Sequence, residues 1–147
     1  MLFTVDCEDY FHGLVPYRKW PGYHSEIEET TFKLLNLLED HKVIARFYVL
    51  GKVAEEHPEL VMRIFTKGHH IGSHGYFHRR GERAGDVSDH RTQYLLAGLL
   101  QTVQPPPYPY RSPYWDTTQM PGWSGGVLLR TLPYPLLKLY AKESGVV

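Results

Sequence analysis

Three short stretches hold the residue types from which a metal-dependent or acid–base site is built. The first is the acidic run Asp6, Glu8 and Asp9 in TVDCED. If the chain stays extended for two residues past Val5, the two-residue period puts Asp6 and Glu8 on one face and Val5 and Cys7 on the other. Two carboxylates sharing a face can bind a cation, or one can act as a base while the other holds a metal. In isolation the same acids also fit a solvated turn. The second stretch is SHGYFH, with His74 and His78 four apart and Gly75 between them. In a compact loop their imidazoles can meet one divalent cation, and two imidazoles with a carboxylate suit zinc, cobalt, nickel or iron. Standing alone, such a pair is more often polar decoration of a surface turn. The third is YRSPYW: Pro113 fixes a turn, Arg111 can grip a carboxylate with two hydrogen bonds, and Trp115 offers an apolar wall. Placed near Asp6, Arg111 would hold that carboxylate ionised and oriented.

Strands and helices must bring these stretches together. Residues 2–5 are apolar or β-branched and read as a short buried strand ending at Asp6. After an aromatic, Gly- and Pro-containing loop over 12–23, Ser25 and Glu28 form a capping-box pattern. Ile27, Thr31, Leu34, Leu35 and Leu38 then recur at helical spacing to about residue 40. VIARFYVL, residues 43–50, reads as a second strand ended by Gly51. Pro58 opens a helix with the stripe Leu60, Val61, Ile64 and Phe65, and Gly68 closes it. A third strand is expected over 69–73. Asp86 or Ser88 can cap a helix bearing Tyr94, Leu95, Leu99 and Val103, stopped by the prolines at 105–107. Residues 108–111 would form a fourth strand, made irregular or edge-like by Pro109. Beyond Thr117 the pattern frays into a Gly-rich bend at 122–126 and an apolar stretch whose last part, 136–142, is expected to be helical.

Strands alternating with helices give an α/β class with a mainly parallel sheet and right-handed crossovers. In such folds the ligand site lies at the carboxyl ends of the strands, where all three clusters fall. The chain has 147 residues, one domain's worth over 1–147. Sixteen basic residues balance sixteen acidic ones, which removes any global electrostatic case for nucleic acid or an anionic membrane as partner. Hydrophobic residues at 42% and charged ones at 22% argue against disorder and coiled coil. The single cysteine, Cys7, makes no internal disulfide. No run is long and apolar enough to span a membrane, and MLFTVDCEDYFHG turns acidic too early for a secretory signal, so a cytoplasmic location is expected. Nine His, 11 Tyr, 3 Trp and 6 Phe supply more metal ligands and flat faces than a plain scaffold needs. His24, His41, His57 and His90 fall in or beside helix ends, where a solvated imidazole is ordinary. His70, on the same strand side as His74, is a reserve ligand, and His12 lies close to Asp6 in sequence.

Together these residues resemble the polysaccharide deacetylase family, the NodB-homology or carbohydrate esterase family 4 fold. TVDCEDYFH is similar to its first motif, HHIGSHGYFH to its second and YRSPYW to its third, in order over about residues 2–116. FYVLG and HPELV add likeness to the branch associated with exopolysaccharide and exosortase loci. The resemblance implies a distorted (β/α) barrel that removes acetyl groups from N-acetylated glycans with one divalent metal, zinc first among the choices. It implies Asp6 as general base, Glu8, His74 and His78 as metal ligands, and Arg111 as the group orienting Asp6. The Tyr114 backbone N–H would help hold the oxyanion, and Trp115 would line the pocket. The family more often has two adjacent acids in its first motif, so Asp9 competes with Glu8, although alternation favours Glu8. The implied chemistry is attack of an activated water on the acetyl carbonyl with Asp6 taking the proton.

The family protonates the leaving nitrogen with a His in a late LxH motif, and here no His follows Trp115. The last barrel strands and the general acid are therefore expected to be missing, a loss worth about 100 to 10,000-fold in rate. Three functions remain open. The first is a deacetylase whose acid comes from His12, water or a neighbouring chain. The second is an idle, metal-bearing relative that binds glycan, and the third a domain whose metal is structural only. An incomplete barrel leaves strand edges that a second copy of the chain would cover.

Overall fold

A parallel ladder carries the acids of the N-terminal run to the same end as the histidines of the middle of the chain. The structure, a computed structural model, describes residues 3–100 and 108–115. Strands β1 (Phe3–Cys7), β2 (Ala45–Val49) and β3 (His70–Ser73) pair in parallel in that order. The register sets Asp6 beside Tyr48, Tyr48 beside Gly72 and Val49 beside Ser73. β2 is the central strand and is buried almost throughout, as its β-branched and aromatic residues require when both faces are covered. Tyr110 adds a single parallel bridge to Ser73, the Ser73 amide donating to the Pro109 carbonyl at 2.7 Å and the Arg111 amide to the Ser73 carbonyl at 2.9 Å. The expected fourth strand is thus one bridge long.

Among the described residues four α-helices pack around this sheet: α1 (Ile27–Asp40), α2 (Gly51–Glu56), α3 (Pro58–Thr66) and α4 (Val87–Leu100). The core joins Ile27, Leu35 and Leu38 of α1, Val53 of α2, Leu60, Val61 and Ile64 of α3, and Leu96 and Leu100 of α4 to Phe47, Val49 and Ile71. Each such side chain stabilises by about 1.5–3 kcal/mol when fully buried. Among the described residues this is an α/β arrangement with a three-stranded parallel sheet, and the barrel expected from the sequence is not shown as a closed structure. The Gly-rich bend at 122–126 and the expected helix at 136–142 lie outside the described residues.

Four expectations shift. β1 runs two residues further than the apolar run, so Asp6 and Cys7 are strand residues. α2 was not anticipated: Gly51, expected only to end a strand, begins a helix. A Cβ at Gly51 would lie 2.3 Å from both Thr92 Oγ1 and a Tyr76 ring carbon, so close packing demands glycine there. The Ser25–Glu28 capping box does not form. Instead Asp9 caps α1 from a distance, its Oδ1 accepting the Glu26 amide at 2.9 Å and its Oδ2 the Ser25 hydroxyl at 2.7 Å. Glu28 pairs with His57 Nδ1 at 2.9 Å. Finally, α4 is capped by Asp86, whose Oδ1 accepts the Asp89 amide at 2.7 Å, and it buries Asp89, Thr92, Leu96 and Leu100. Tyr94, expected on the apolar face, is 82% exposed.

Candidate metal centre

At the carboxyl end of β1 the strand alternation separates two chemistries. Cys7 points into the core, where burial pushes its thiol up to about 12 and leaves it an inert thiol. Asp6 and Glu8 face the other way. Asp6 Oδ1 accepts a hydrogen bond from Arg111 Nη1 at 2.5 Å, and Glu8 Oε2 lies 3.1 Å from His78 Nε2.

The histidines come from the loop that leaves β3. The His74 amide donates to the Val49 carbonyl at 3.0 Å, which continues the ladder by one residue and fixes where the ring enters the site. Gly75 then takes φ +75°, and a Cβ there would sit 2.2 Å from Glu82 Oε2, so glycine is required on two counts. His78 also adopts a positive φ of 53°, which folds the loop back on itself. Its ring centroid comes to 5.1 Å from that of His74. His74 Nδ1 lies 2.8 Å from the Arg111 carbonyl. A carbonyl only accepts, so Nδ1 carries the proton and Nε2 is left with the lone pair that a metal needs.

Glu8, His74 and His78 each present one ligand atom within 4.8 Å of the other two. Tetrahedral sites with bonds of about 2.0–2.1 Å separate neighbouring ligand atoms by roughly 3.3 Å, so the 3.1 Å between Glu8 and His78 fits a shared ion. The electrostatics also fit a divalent cation. Burial and the Asp6 charge push Glu8 up to about 7. Burial, reinforced by His74 and His12, lowers His78 to about 4. Burial likewise lowers His74. With the His78 ring held neutral, its contact with Glu8 is not an ion pair. Glu8 Oε2 is buried without a hydrogen-bond partner, the condition a bound cation relieves.

Arg111 is 3% exposed and joins the other two stretches. Besides holding Asp6, its Nη2 donates to Thr4 Oγ1 at 2.7 Å, and its guanidinium lies 4.1 Å over the Tyr48 ring. Thr4 was missed at the sequence level, although it sits two residues before Asp6 on the same strand face. Tyr114 takes φ 57° in the single turn Pro113–Trp115. Its hydroxyl donates to the Gly13 carbonyl at 2.7 Å, and its ring packs 4.5 Å from that of His78. The Trp115 side chain lies outside the described part of the structure.

Two reserve candidates are placed elsewhere. Asp9 spends both oxygens on the start of α1, whereas Glu8 lies with His74 and His78. His70 is exposed at the start of β3 and lies outside the ligand cluster. His12 is buried close by, its ring 4.1 Å from that of Trp20. Its Nδ1 accepts the Asp9 amide at 3.1 Å, and burial pushes it down to about 4, so it is a neutral imidazole at pH 7.

Known proteins resemble this chain over much of its described length. The model of the polysaccharide deacetylase family matches residues 21–118, which takes in the histidine loop and the Arg111 stretch. A peptidoglycan-N-acetylglucosamine deacetylase of Bacillus cereus is 36% identical over 88 residues, which are 54% of this chain and 32% of that protein. A chitooligosaccharide deacetylase of Rhizobium leguminosarum bv. trifolii is 40% identical over 48 residues, 33% of this chain and 22% of that one. Among solved structures, a family 4 carbohydrate esterase from Streptomyces lividans in complex with acetate superposes with a TM-score of 0.58 at 26% identity, over 80% of this chain and 52% of that one. The Bc1960 peptidoglycan N-acetylglucosamine deacetylase superposes with a TM-score of 0.57 at 25% identity, over 97% of this chain and 52% of that one. The matched regions thus span about a third or less of these curated relatives and about half of these solved chains. With the family model matching more than half of its length, the chain belongs to the polysaccharide deacetylase family.

Proposed function

We propose that the chain is a metal-dependent hydrolase that removes N-acetyl groups from the amino sugars of a polysaccharide. The observation that carries this reading is the convergence of Glu8, His74 and His78 within 4.8 Å, with Asp6 close enough for its charge to act on all three. Glu8 and the two imidazoles would hold the ion, zinc being the first choice for two nitrogens and one oxygen, with cobalt, nickel and iron also suited. When bound, the ion supplies Lewis acidity toward an acetyl carbonyl and toward a water. Asp6 accepts the proton of the attacking water. Arg111 fixes the direction of that carboxylate by gripping Oδ1, which leaves Oδ2 as the oxygen to receive it. Tyr114 follows in the adjoining turn, where its amide is the donor assigned to the developing oxyanion. The glycan source follows the sequence likeness to the exopolysaccharide branch.

A second reading has one observation in its favour. His12, the nearest spare imidazole, is neutral at pH 7, so it is a weak donor to a leaving nitrogen. On that reading the chain binds metal and glycan without turnover. One experiment separates the two: acetate release from tetra-N-acetylchitotetraose by the zinc-loaded chain, with Asp6→Asn and chelator controls. Release that disappears in both controls supports the hydrolase. Full zinc occupancy with no acetate from neutral or acidic N-acetylated glycans overturns it in favour of the binding relative.

A further inference from the structure

Beside His78 opens a cleft of about 360 Å³ whose lining includes Tyr17, Phe77, His78, Arg79, Arg80 and Tyr114. Its described lining contains two arginines and no carboxylate. Neither arginine pairs with an acid among the described residues, whereas Lys52, Lys67, Arg91 and Arg111 all do. A neighbouring cavity of about 550 Å³ makes the contrast: its Lys52 and Arg91 are both neutralised by Glu55. The chain as a whole has no net charge, so the positive potential here is local.

The two guanidiniums are exposed yet held in place. Arg79 Cζ lies 4.6 Å from the ring centroids of both Tyr17 and Phe77, and those rings are themselves 4.6 Å apart. Arg80 Cζ lies 4.6 Å over the Tyr114 ring, which packs 4.5 Å from the His78 ring. One aromatic ring thus separates Arg80 from the imidazole assigned to the metal. Stacking occupies the faces of a guanidinium and leaves its in-plane N–H fork free, and that fork matches the paired oxygens of a carboxylate or phosphate.

We propose that this cleft selects an acidic glycan, with Arg79 and Arg80 binding a carboxylate or phosphate ester on or next to the N-acetylated sugar presented to the metal centre. The proposal deepens the deacetylase reading and rests on it for the identity of the sugar. The test is direct binding, measured by calorimetry on the zinc-loaded full chain. A hyaluronan tetrasaccharide is compared with tetra-N-acetylchitotetraose, and N-acetylglucosamine 6-phosphate with N-acetylglucosamine. At least one acidic probe should bind about ten-fold more tightly than its neutral counterpart, and the preference should shrink between roughly 50 and 300 mM salt. The preferred probe tells carboxylate from phosphate. The Arg79→Gln/Arg80→Gln double variant should lose the preference while keeping its affinity for the neutral sugar. Arg80→Gln alone, which leaves the Tyr17–Arg79–Phe77 stack intact, should reduce the preference with no change in circular dichroism. Equal affinity for acidic and neutral probes, no binding of either acidic probe, or a preference that survives the double variant overturns the proposal. Selective binding without acetate release would defeat the hydrolase reading alone. Equally fast release from neutral and acidic glycans would defeat the selectivity alone.

Discussion

His74 donates from Nδ1 to the main-chain carbonyl of Arg111 at 2.8 Å, while the side chain of the same arginine grips Asp6. One residue therefore sets the tautomer of the His74 imidazole through its backbone and the direction of the Asp6 carboxylate through its guanidinium. The two duties are separable by mutation, because only the second depends on the side chain.

Arg111→Met should leave zinc affinity within about three-fold of the parent, since the His74 contact is to the carbonyl. It should lower acetate release by about 100-fold or more, because Asp6 loses its orientation. Stability should fall by about 2–3 kcal/mol, less than for a fully buried pair because the Asp6 side chain is 25% exposed. Zinc titration, acetate assay and urea denaturation read the three effects independently.

Glu8 and Asp9 are neighbours with different work. Glu8→Gln should weaken zinc binding by at least about 100-fold and leave the fold intact. Asp9→Ala removes both bonds to the start of α1 and should cost about 1–2 kcal/mol of stability with zinc affinity unchanged. Loss of zinc binding in Asp9→Ala with retention in Glu8→Gln would reverse the assignment.

Metal removal should be visible in stability as well as in activity. A chelator acting on protein held at about 100 times the zinc dissociation constant should cost about 2.7 kcal/mol. The His78→Ala variant should show little of that difference. A melting temperature that ignores zinc in the parent would contradict the site.

Away from the centre, burial raises the carboxyl of Glu82, which sits with one oxygen unpartnered behind the histidine loop. A carboxyl that is raised in the folded state binds its proton more tightly there than in the unfolded chain. Its favourable contribution is complete at pH below the unfolded value of about 4.3 and is lost as pH rises through the folded value. Glu82→Gln keeps the acceptor for Phe77 N and Ser88 Oγ and has no charge to desolvate. The stability of Glu82→Gln relative to the parent should therefore increase between pH 4 and pH 7.5 in paired denaturation curves. A difference that stays flat or falls would show that Glu82 is not desolvated.

Much of the site was legible because local periodicity decided it. The alternation in TVDCE was enough to send Cys7 inward and Asp6 and Glu8 together to the other face. The HxxxH spacing, with a glycine to permit the left-handed turn, was enough to nominate His74 and His78. What escaped was set by distant contacts. Nothing local announces that Asp9 will cap a helix starting at Ile27, or that Gly51 must be small because Tyr76 and Thr92 press on it. In α4 the apolar residues cluster in adjacent pairs, so periodicity could not phase the helix. The buried face is chosen by Asp89 bonding Ser73 and Thr92 bonding the Gly75 carbonyl. Those polar anchors support the loop that carries the histidines.

The Asp6–Arg111 link closes 105 residues of sequence, and the Thr4–Arg111 bond beside it closes 107. During synthesis the acids of β1 leave the ribosome first and must wait for nearly the whole matched region before the arginine arrives. Ligand geometry is then a product of late, non-local closure, which is intrinsically slow. Until Arg111 is in place the His74 ring lacks the carbonyl that fixes its tautomer, so the arrangement of Glu8, His74 and His78 is complete only once residue 111 has joined the fold.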